Sequence, residues 1–416
     1  MAKIAKTLKE LKENLEIEDY IEETEIENYD LHILTNEINE KASYLMDKRE
    51  EEYIKHSLED IVIIVILGLF ANSNTFVEIE IFAKKHYEWL RNYLELSYGL
   101  PSICTIKRVI AALNPKELEE MCNHVFLNFI KVTQKPIYVK NGLKLMDINS
   151  LDGKTANNSK RNTIEGYIKP TNAMSAYSVV NEKCLATEFI SEKTNEIPTS
   201  PKLLKRLNIK DVAITFDALN TQKDTIDYIV KNEGYYVAPI KDNQSILKED
   251  LELYFQDLYL IKVGNAKVYE EIEKSHNQAE KRTYIFTNDI DWIYQKEKWS
   301  DLKSIGVLIK EINGEEKERK YFISNIKANH IEILSKIIRN EWSIENKLHW
   351  YLDMVFLEDK NKCYIENSQK NLNIMRKFCL GILKIVKSHY NMSMNSIRFQ
   401  LSIDFENEIE QLLKLL

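Results

Sequence analysis

The sequence predicts an α/β protein, in which an all-helical amino-terminal domain precedes a mixed β-sheet covered by helices. Three observations carry this. From about residue 31 to 132, apolar residues recur at three- and four-residue steps, the period of a helix with one buried face. After Pro136 the spacing changes to short runs of strand type. Among them, Val212-Ala213-Ile214-Thr215-Phe216 is almost wholly apolar and ends in Asp217, as a central strand covered on both faces would.

Residues 1–30 are an acid-rich lead with little apolar periodicity, expected to be partly helical and poorly packed. In the helical domain, 31–132, the pattern runs through Leu58, Ile61, Val62, Val65 and Leu69, then Phe76, Ile79, Phe82 and Ala83, then Trp89, Leu90 and Tyr93. Ile61 to Ala71 is the longest apolar run, too short to cross a bilayer and read as a buried core helix. Tyr98-Gly99-Leu100-Pro101-Ser102 marks a turn, and Ser102 or Thr105 is placed to cap the next helix. Strand candidates follow at 143–151, 173–180 and 184–190, a helix near 197–206, then the Val212 strand, a helix at 221–232 and a strand at 235–240. Four more candidates, 267–273, 282–287, 304–312 and 319–324, form a β-rich insertion at about 265–326. Ile331 to His389 is helical again, and 391–416 is a helical tail.

The length suggests two or three domains. Ten glycines and seven prolines are few for 416 residues, which favours long regular elements over linkers. Five cysteines, odd in number and never spaced as CxxC, oppose a disulfide framework or a zinc site and fit a reducing cytosol. The start, MAKIAKTLKELKENLE, has no apolar core of a secretory signal. The net charge of −8 hides an asymmetry. Residues 1–60 hold 8 Lys+Arg against 18 Asp+Glu, a net of −10, so the remainder carries +2 and leaves room for a local basic groove.

Several side chains could carry chemistry, each with a plain structural alternative. Asp217 would lie beyond the carboxyl end of its strand, where covered sheets bind ligands; it could equally cap the helix near Thr221. Asp152 ends the first strand candidate before Gly153, Lys154 and Thr155, where an Asp-Gly turn is the alternative. If Ile338 to Phe356 is one helix, Ile338, Trp342, Leu348, His349, Leu352 and Phe356 all fall within about 60° of Glu345 on its wheel. Glu345 would then sit in the apolar stripe, bound to metal or paired in a salt bridge. His349 reads as a satisfied core residue, and Trp342 as packing its helix. The basic loop from Lys154 through Lys160 and Arg161 could track a phosphate backbone or be a solvated loop.

From about residue 30 to 390 the chain resembles the DDE transposases of bacterial insertion sequences, in the H-repeat-associated (ISAs-one type) branch. The resemblance rests on ordered motifs: Met46-Asp47-Lys48-Arg49, His56-Ser57-Leu58-Glu59-Asp60-Ile61, and Tyr98-Gly99-Leu100-Pro101 with Thr105 and Arg108. The first acidic motif is Leu151-Asp152-Gly153-Lys154-Thr155. Lys193-Thr194-Asn195-Glu196-Ile197 and Pro201-Lys202-Leu203-Leu204 follow, then Thr215-Phe216-Asp217-Ala218-Leu219 with Gln222-Lys223-Asp224. Most specific is Trp342-Ser343-Ile344-Glu345-Asn346-Lys347-Leu348-His349-Trp350, continuing through Leu352-Asp353 and Phe356 to Glu358-Asp359.

The resemblance implies a ribonuclease H-like DDE catalytic domain over 140–390, preceded at 31–132 by a transposase-associated domain. It implies catalytic, metal-holding carboxylates at Asp152, Asp217 and Glu345, with Mg²⁺ or Mn²⁺, as two ions, the cofactor. It implies double-stranded DNA, both element ends and target, as partner, with Lys154, Lys160, Arg161 and Lys241 as candidate contacts. A homo-oligomer on DNA, no membrane, and a place in the bacterial cytoplasm at the nucleoid complete the expectation. The chain departs from the family pattern at Asp242 (usually Gly), His276-Asn277-Gln278 (His-Gly-Arg), Glu341 (His) and Asn172 (His). None of these removes a metal ligand, although added acids and a lost Arg weaken DNA contacts. They keep open one rival, a transposase-derived DNA-binding protein that no longer cuts; the second rival is a nuclease of the same fold without strand transfer.

Overall fold

The computed structural model describes residues 30–129, 135–156, 159–163, 166–168, 170–190, 197–275, 278–361, 363 and 367–416. The acidic lead before Asp30, Lys193 to Glu196, and His276-Asn277 therefore lie outside the described residues. In chain order come helices α1 (Leu31–Ala42), α2 (Leu58–Phe70), α3 (Phe76–Lys85), α4 (Ile103–Ala112) and α5 (Pro115–Phe129). Strands β1 (Tyr138–Lys140), β2 (Leu143–Leu145), β3 (Asp147–Ala156), β4 (Arg161–Thr163), β5 (Gly166–Ile168), β6 (Thr171–Ser178) and β7 (Lys183–Ile190) follow. Then come β8 (Val212–Phe216), α6 (Lys223–Lys231), β9 (Tyr235–Ile240), α7 (Ser245–Gln256), β10 (Lys267–Ser275), β11 (Gln278–Thr287), β12 (Ser304–Ile312) and β13 (Glu315–Ser324). Helices α8 (Ile331–Arg339), α9 (Ser368–His389), α10 (Met394–Ile403) and α11 (Phe405–Leu413) close the chain.

These elements form two compact units whose borders do not follow the sequence segments. The described parts of Thr133–Leu151 and Leu204–Trp342 make the first; Asn28–Val132, Asp152–Leu203 and Ser343–Leu416 make the second.

The first unit is a mixed sheet in the order β10-β11-β12-β13-β9-β8-β3. β3, β8 and β9 run parallel, and Val212 to Phe216 are all buried, which explains the continuous apolar run. From β9 outward the ladder is antiparallel through β13, β12, β11 and β10. The expected β-rich insertion is thus a meander that extends the central sheet. Its β12–β13 turn is Asn313-Gly314, with φ of 53° and 85°, the pairing that a two-residue hairpin with the right twist requires.

The second unit holds the helical core. Every residue of α2 from Ile61 to Phe70 is buried, because the helix is apolar all round. Ser57 caps it through the Asp60 N–H; Thr75 and Glu78 form a reciprocal capping box on α3; Ser102 caps α4 through the Thr105 N–H. Helix α9 packs among α2, α4 and α5. Gly381 permits the closest approach: a Cβ there would lie 2.6 Å from the Phe126 ring. The region 31–132 therefore shares one core with α9 instead of closing a core of its own. The hairpin β6–β7 belongs to the same unit. The tail, 391–416, is integral too. Arg398 of α10 is wholly buried, donates to the carbonyls of Leu69 and Val355 and to Asn74 Oδ1, and lies over the Phe356 ring at 4.0 Å. Among the described residues, no helix is long and apolar enough to cross a membrane.

Candidate metal centre

Asp152 does not end its strand. β3 runs on to Ala156, so Gly153, Lys154 and Thr155 stay extended and the Asp-Gly turn does not form. Alternation along the strand aims the side chain, and the Gly153 N–H donates to Oδ1 at 2.8 Å.

The expected single helix from Ile338 to Phe356 is broken. α8 stops at Arg339, a turn occupies 340–342, and a π-helical turn covers Glu345–His349 before an α-turn at Trp350–Met354. The Trp350 N–H donates to the Glu345 carbonyl, the i→i+5 bond of that wider turn. π-turns of this kind recur at functional sites. The break resets the wheel, and Glu345 is not in an apolar stripe: its side chain is 53% exposed. Trp342, expected to pack, is also exposed, with the Lys320 ammonium 5.4 Å over its ring. Leu348, Leu352 and Phe356 do face the core.

The turn keeps Glu345 and His349 on one side, as i,i+4 neighbours. His349 Nδ1 lies 3.3 Å from Glu345 Oε2 and 3.4 Å from Asp152 Oδ2. One ligand atom from each of the three lies within 4.8 Å of the others. Two carboxylates and an imidazole are hard oxygen and borderline nitrogen donors, a set that fits a divalent ion of the Mg²⁺ or Mn²⁺ class. His349 is expected from sequence to be a satisfied core residue. It is buried as expected, yet it is not satisfied, since Nε2 has no hydrogen-bond partner among the described residues. Its spacing of four from Glu345 was the available signal.

Asp217 belongs to the first unit, directly after β8. Its Oδ1 accepts from the Asn220 N–H at 3.1 Å and the Asn220 amide at 2.7 Å, capping the short turn Ala218–Asn220 instead of the helix α6. Glu341, also of that unit, has its carboxyl pushed up to about 7 by burial and by the neighbouring Asp217 charge, against the pull of Lys320 and Lys241.

Of the basic candidates, Lys154 is committed internally: its ammonium donates to both Asp353 oxygens at 2.6 and 2.7 Å and lies 4.0 Å from Glu358 Oε2. Burial raises the Asp353 carboxyl and the lysine opposes that rise. Lys160 and Lys241 are exposed. Arg161 pairs with Ile168 in the β4–β5 hairpin, and its side chain lies outside the described residues.

Comparison with known proteins matches residues 137–382 to the family model "Transposase DDE domain" and 41–125 to that of its associated domain. The chain is 30% identical over 358 residues to "H repeat-associated putative transposase YhhI" of Escherichia coli K12, covering 83% of this chain and 89% of that protein. "Putative protein YbfL" of the same strain matches at the same identity and coverage. "Putative transposase YncI" of Escherichia coli O157:H7 is 28% identical over 354 residues, 83% of this chain and 86% of that one. With a family model spanning most of the chain and a large mixed sheet behind a helical amino-terminal region, the ribonuclease H-like reading stands, and this chain belongs to the H-repeat branch of the DDE transposases.

Proposed function

We propose that the protein cuts DNA at the ends of its own element and joins those ends to target DNA. The observation that carries the reading is the convergence of Asp152 with the distant pair Glu345 and His349, one ligand atom of each within 4.8 Å of the others. Asp217 is the third carboxylate of the proposed set, on the strength of the family motif around it. Mg²⁺ or Mn²⁺, as a pair, would supply activation of the attacking oxygen and stabilisation of the leaving one. In the first step water's oxygen bonds to phosphorus and the bond to the 3′-oxygen breaks, which frees a 3′-hydroxyl. In the second, that hydroxyl attacks a phosphodiester of the target and displaces its 3′-oxygen.

Exposed cations of the chain, Lys160, Lys241 and Arg108, are proposed to face the DNA backbone. The helical region with its α4 motif is proposed to read the element's ends, and the active form is proposed to be a homo-oligomer assembled on them.

The test is a joining assay with full-length protein, labelled element-end DNA, a target plasmid and Mg²⁺ or Mn²⁺. Labelled ends joined to plasmid support the proposal. End cleavage without joining makes the protein a nuclease of this fold. Specific binding without cleavage makes it a DNA-binding derivative of a transposase.

A further inference from the structure

His349 stands between two polar environments of the second unit. On one side its Nδ1 faces Asp152 and Glu345. On the other, the ring lines a cavity of about 10 Å³, shared with Lys154, Glu358, Gln369, Asn373 and Lys377. That is the room one water needs. The wall carries buried polar atoms without a hydrogen-bond partner among the described residues: His349 Nε2, Glu358 Oε2 (with the Lys154 ammonium at 4.0 Å), Gln369 Oε1 and Asn373 Oδ1. Glu358 is itself held firmly, since the Asn373 amide donates to Oε1 at 2.7 Å and the Arg376 guanidinium lies 3.7 Å away.

A histidine nitrogen that binds a cation must be unprotonated, so the opposite ring nitrogen carries the hydrogen and needs an acceptor. Here Nδ1 faces the carboxylates, and Glu358, lining the same water-sized cavity as the ring, offers Oε2 as a candidate acceptor. We propose that His349 is a third protein ligand of the divalent ion, through Nδ1, and that Glu358 is a positioning residue that fixes its tautomer. This rests on the reading that Asp152 and Glu345 hold metal. It deepens that reading by naming the ion: a nitrogen in the donor set favours Mn²⁺ over Mg²⁺, because Mg²⁺ prefers an all-oxygen shell and Mn²⁺ accepts imidazole more readily.

The experiment uses full-length protein without DNA, titrated with MnCl₂ and read by electron paramagnetic resonance, with electron spin-echo modulation to detect nitrogen on the ion. Wild type should bind Mn²⁺ in a way that Asp152→Asn abolishes, and should show nitrogen modulation that changes on ¹⁵N-histidine labelling. His349→Gln should lose that modulation and weaken Mn²⁺ about 10- to 100-fold, with Mg²⁺ competition changed far less. Glu358→Gln should keep the modulation and lower the Mn²⁺-over-Mg²⁺ preference about tenfold, which a purely structural role would not do. Asp152-dependent Mn²⁺ binding without nitrogen modulation in wild type overturns the proposal and leaves the carboxylate site standing. Absence of any Asp152-dependent binding overturns both. If His349→Gln fails to fold, the labelled wild-type spectrum still decides.

Discussion

Leu151 of β3 pairs directly with Phe216 of β8 in a parallel ladder, and the residue that follows each in sequence is an aspartate, Asp152 within β3 and Asp217 just after β8. If both hold metal, Asp152→Asn and Asp217→Asn should each reduce end cleavage at least about a hundredfold, the loss of one preorganised charge contact at a reacting centre. DNA affinity should stay within about threefold of wild type, because it draws on cationic contacts. Cleavage kinetics and gel-shift titration at one salt concentration check both halves.

Lys154 is predicted to matter first for stability. Lys154→Met strands the Asp353 carboxylate and should cost about 1–3 kcal/mol. Without the lysine, burial raises the folded-state pKa of Asp353 further above its unfolded value. The loss should therefore grow as pH rises through the carboxylate range and shrink toward pH 4. Urea unfolding at several pH values measures it.

Arg398→Ala should unfold the protein more than a surface change could. It leaves the Leu69 and Val355 carbonyls without this donor and removes the cation over Phe356. A loss of about 3–5 kcal/mol is expected. A thermal midpoint within a degree or two of wild type would show that the carboxyl-terminal helices are dispensable to the core.

Lys384 of α9 gives a pH signature. Its ammonium donates to Tyr177 Oη at 2.6 Å, and burial pulls its pKa down to about 7, against the Glu182 charge and with help from Lys347 and Lys387. Between about pH 7 and 10.5 the unfolded chain holds this proton and the folded chain does not, so stability rises with pH across that window. The stability difference between wild type and Lys384→Met should change by on the order of 3–5 kcal/mol over it. A difference that stays flat from pH 7 to 10 would contradict the assignment.

Element types were legible wherever one period dominated. The β9 expectation at 235–240 is met at Tyr235–Ile240, and the all-round apolar α2 is the buried helix its composition required. The acidic candidates rest on their motifs, which sequence alone displays. What escaped was set by tertiary contacts that leave no periodic trace. The Glu345 segment looked like one helix because its apolar residues recur at helical spacing; at the break, 340–342, the Asn340 carbonyl accepts from the Ser150 hydroxyl, a partner 190 residues away. His349 was read as core since burial was all its apolar neighbours could signal, whereas its partner Asp152 arrives from a strand far away in sequence. The sharing of one core by 31–132 and α9 was hidden for the same reason, as Gly381 and Phe126 meet only in the fold.

Glu345 is proposed to be a metal-holding catalytic carboxylate and not an idle surface acid. The most direct measurement is the single-turnover rate of end cleavage by Glu345→Gln beside wild type, with saturating Mg²⁺ or Mn²⁺ and matched DNA occupancy. A metal-holding Glu345 predicts normal folding and DNA binding for the variant, with cleavage reduced at least about a hundredfold. A Glu345→Gln protein that cuts its element ends at the wild-type rate would contradict it.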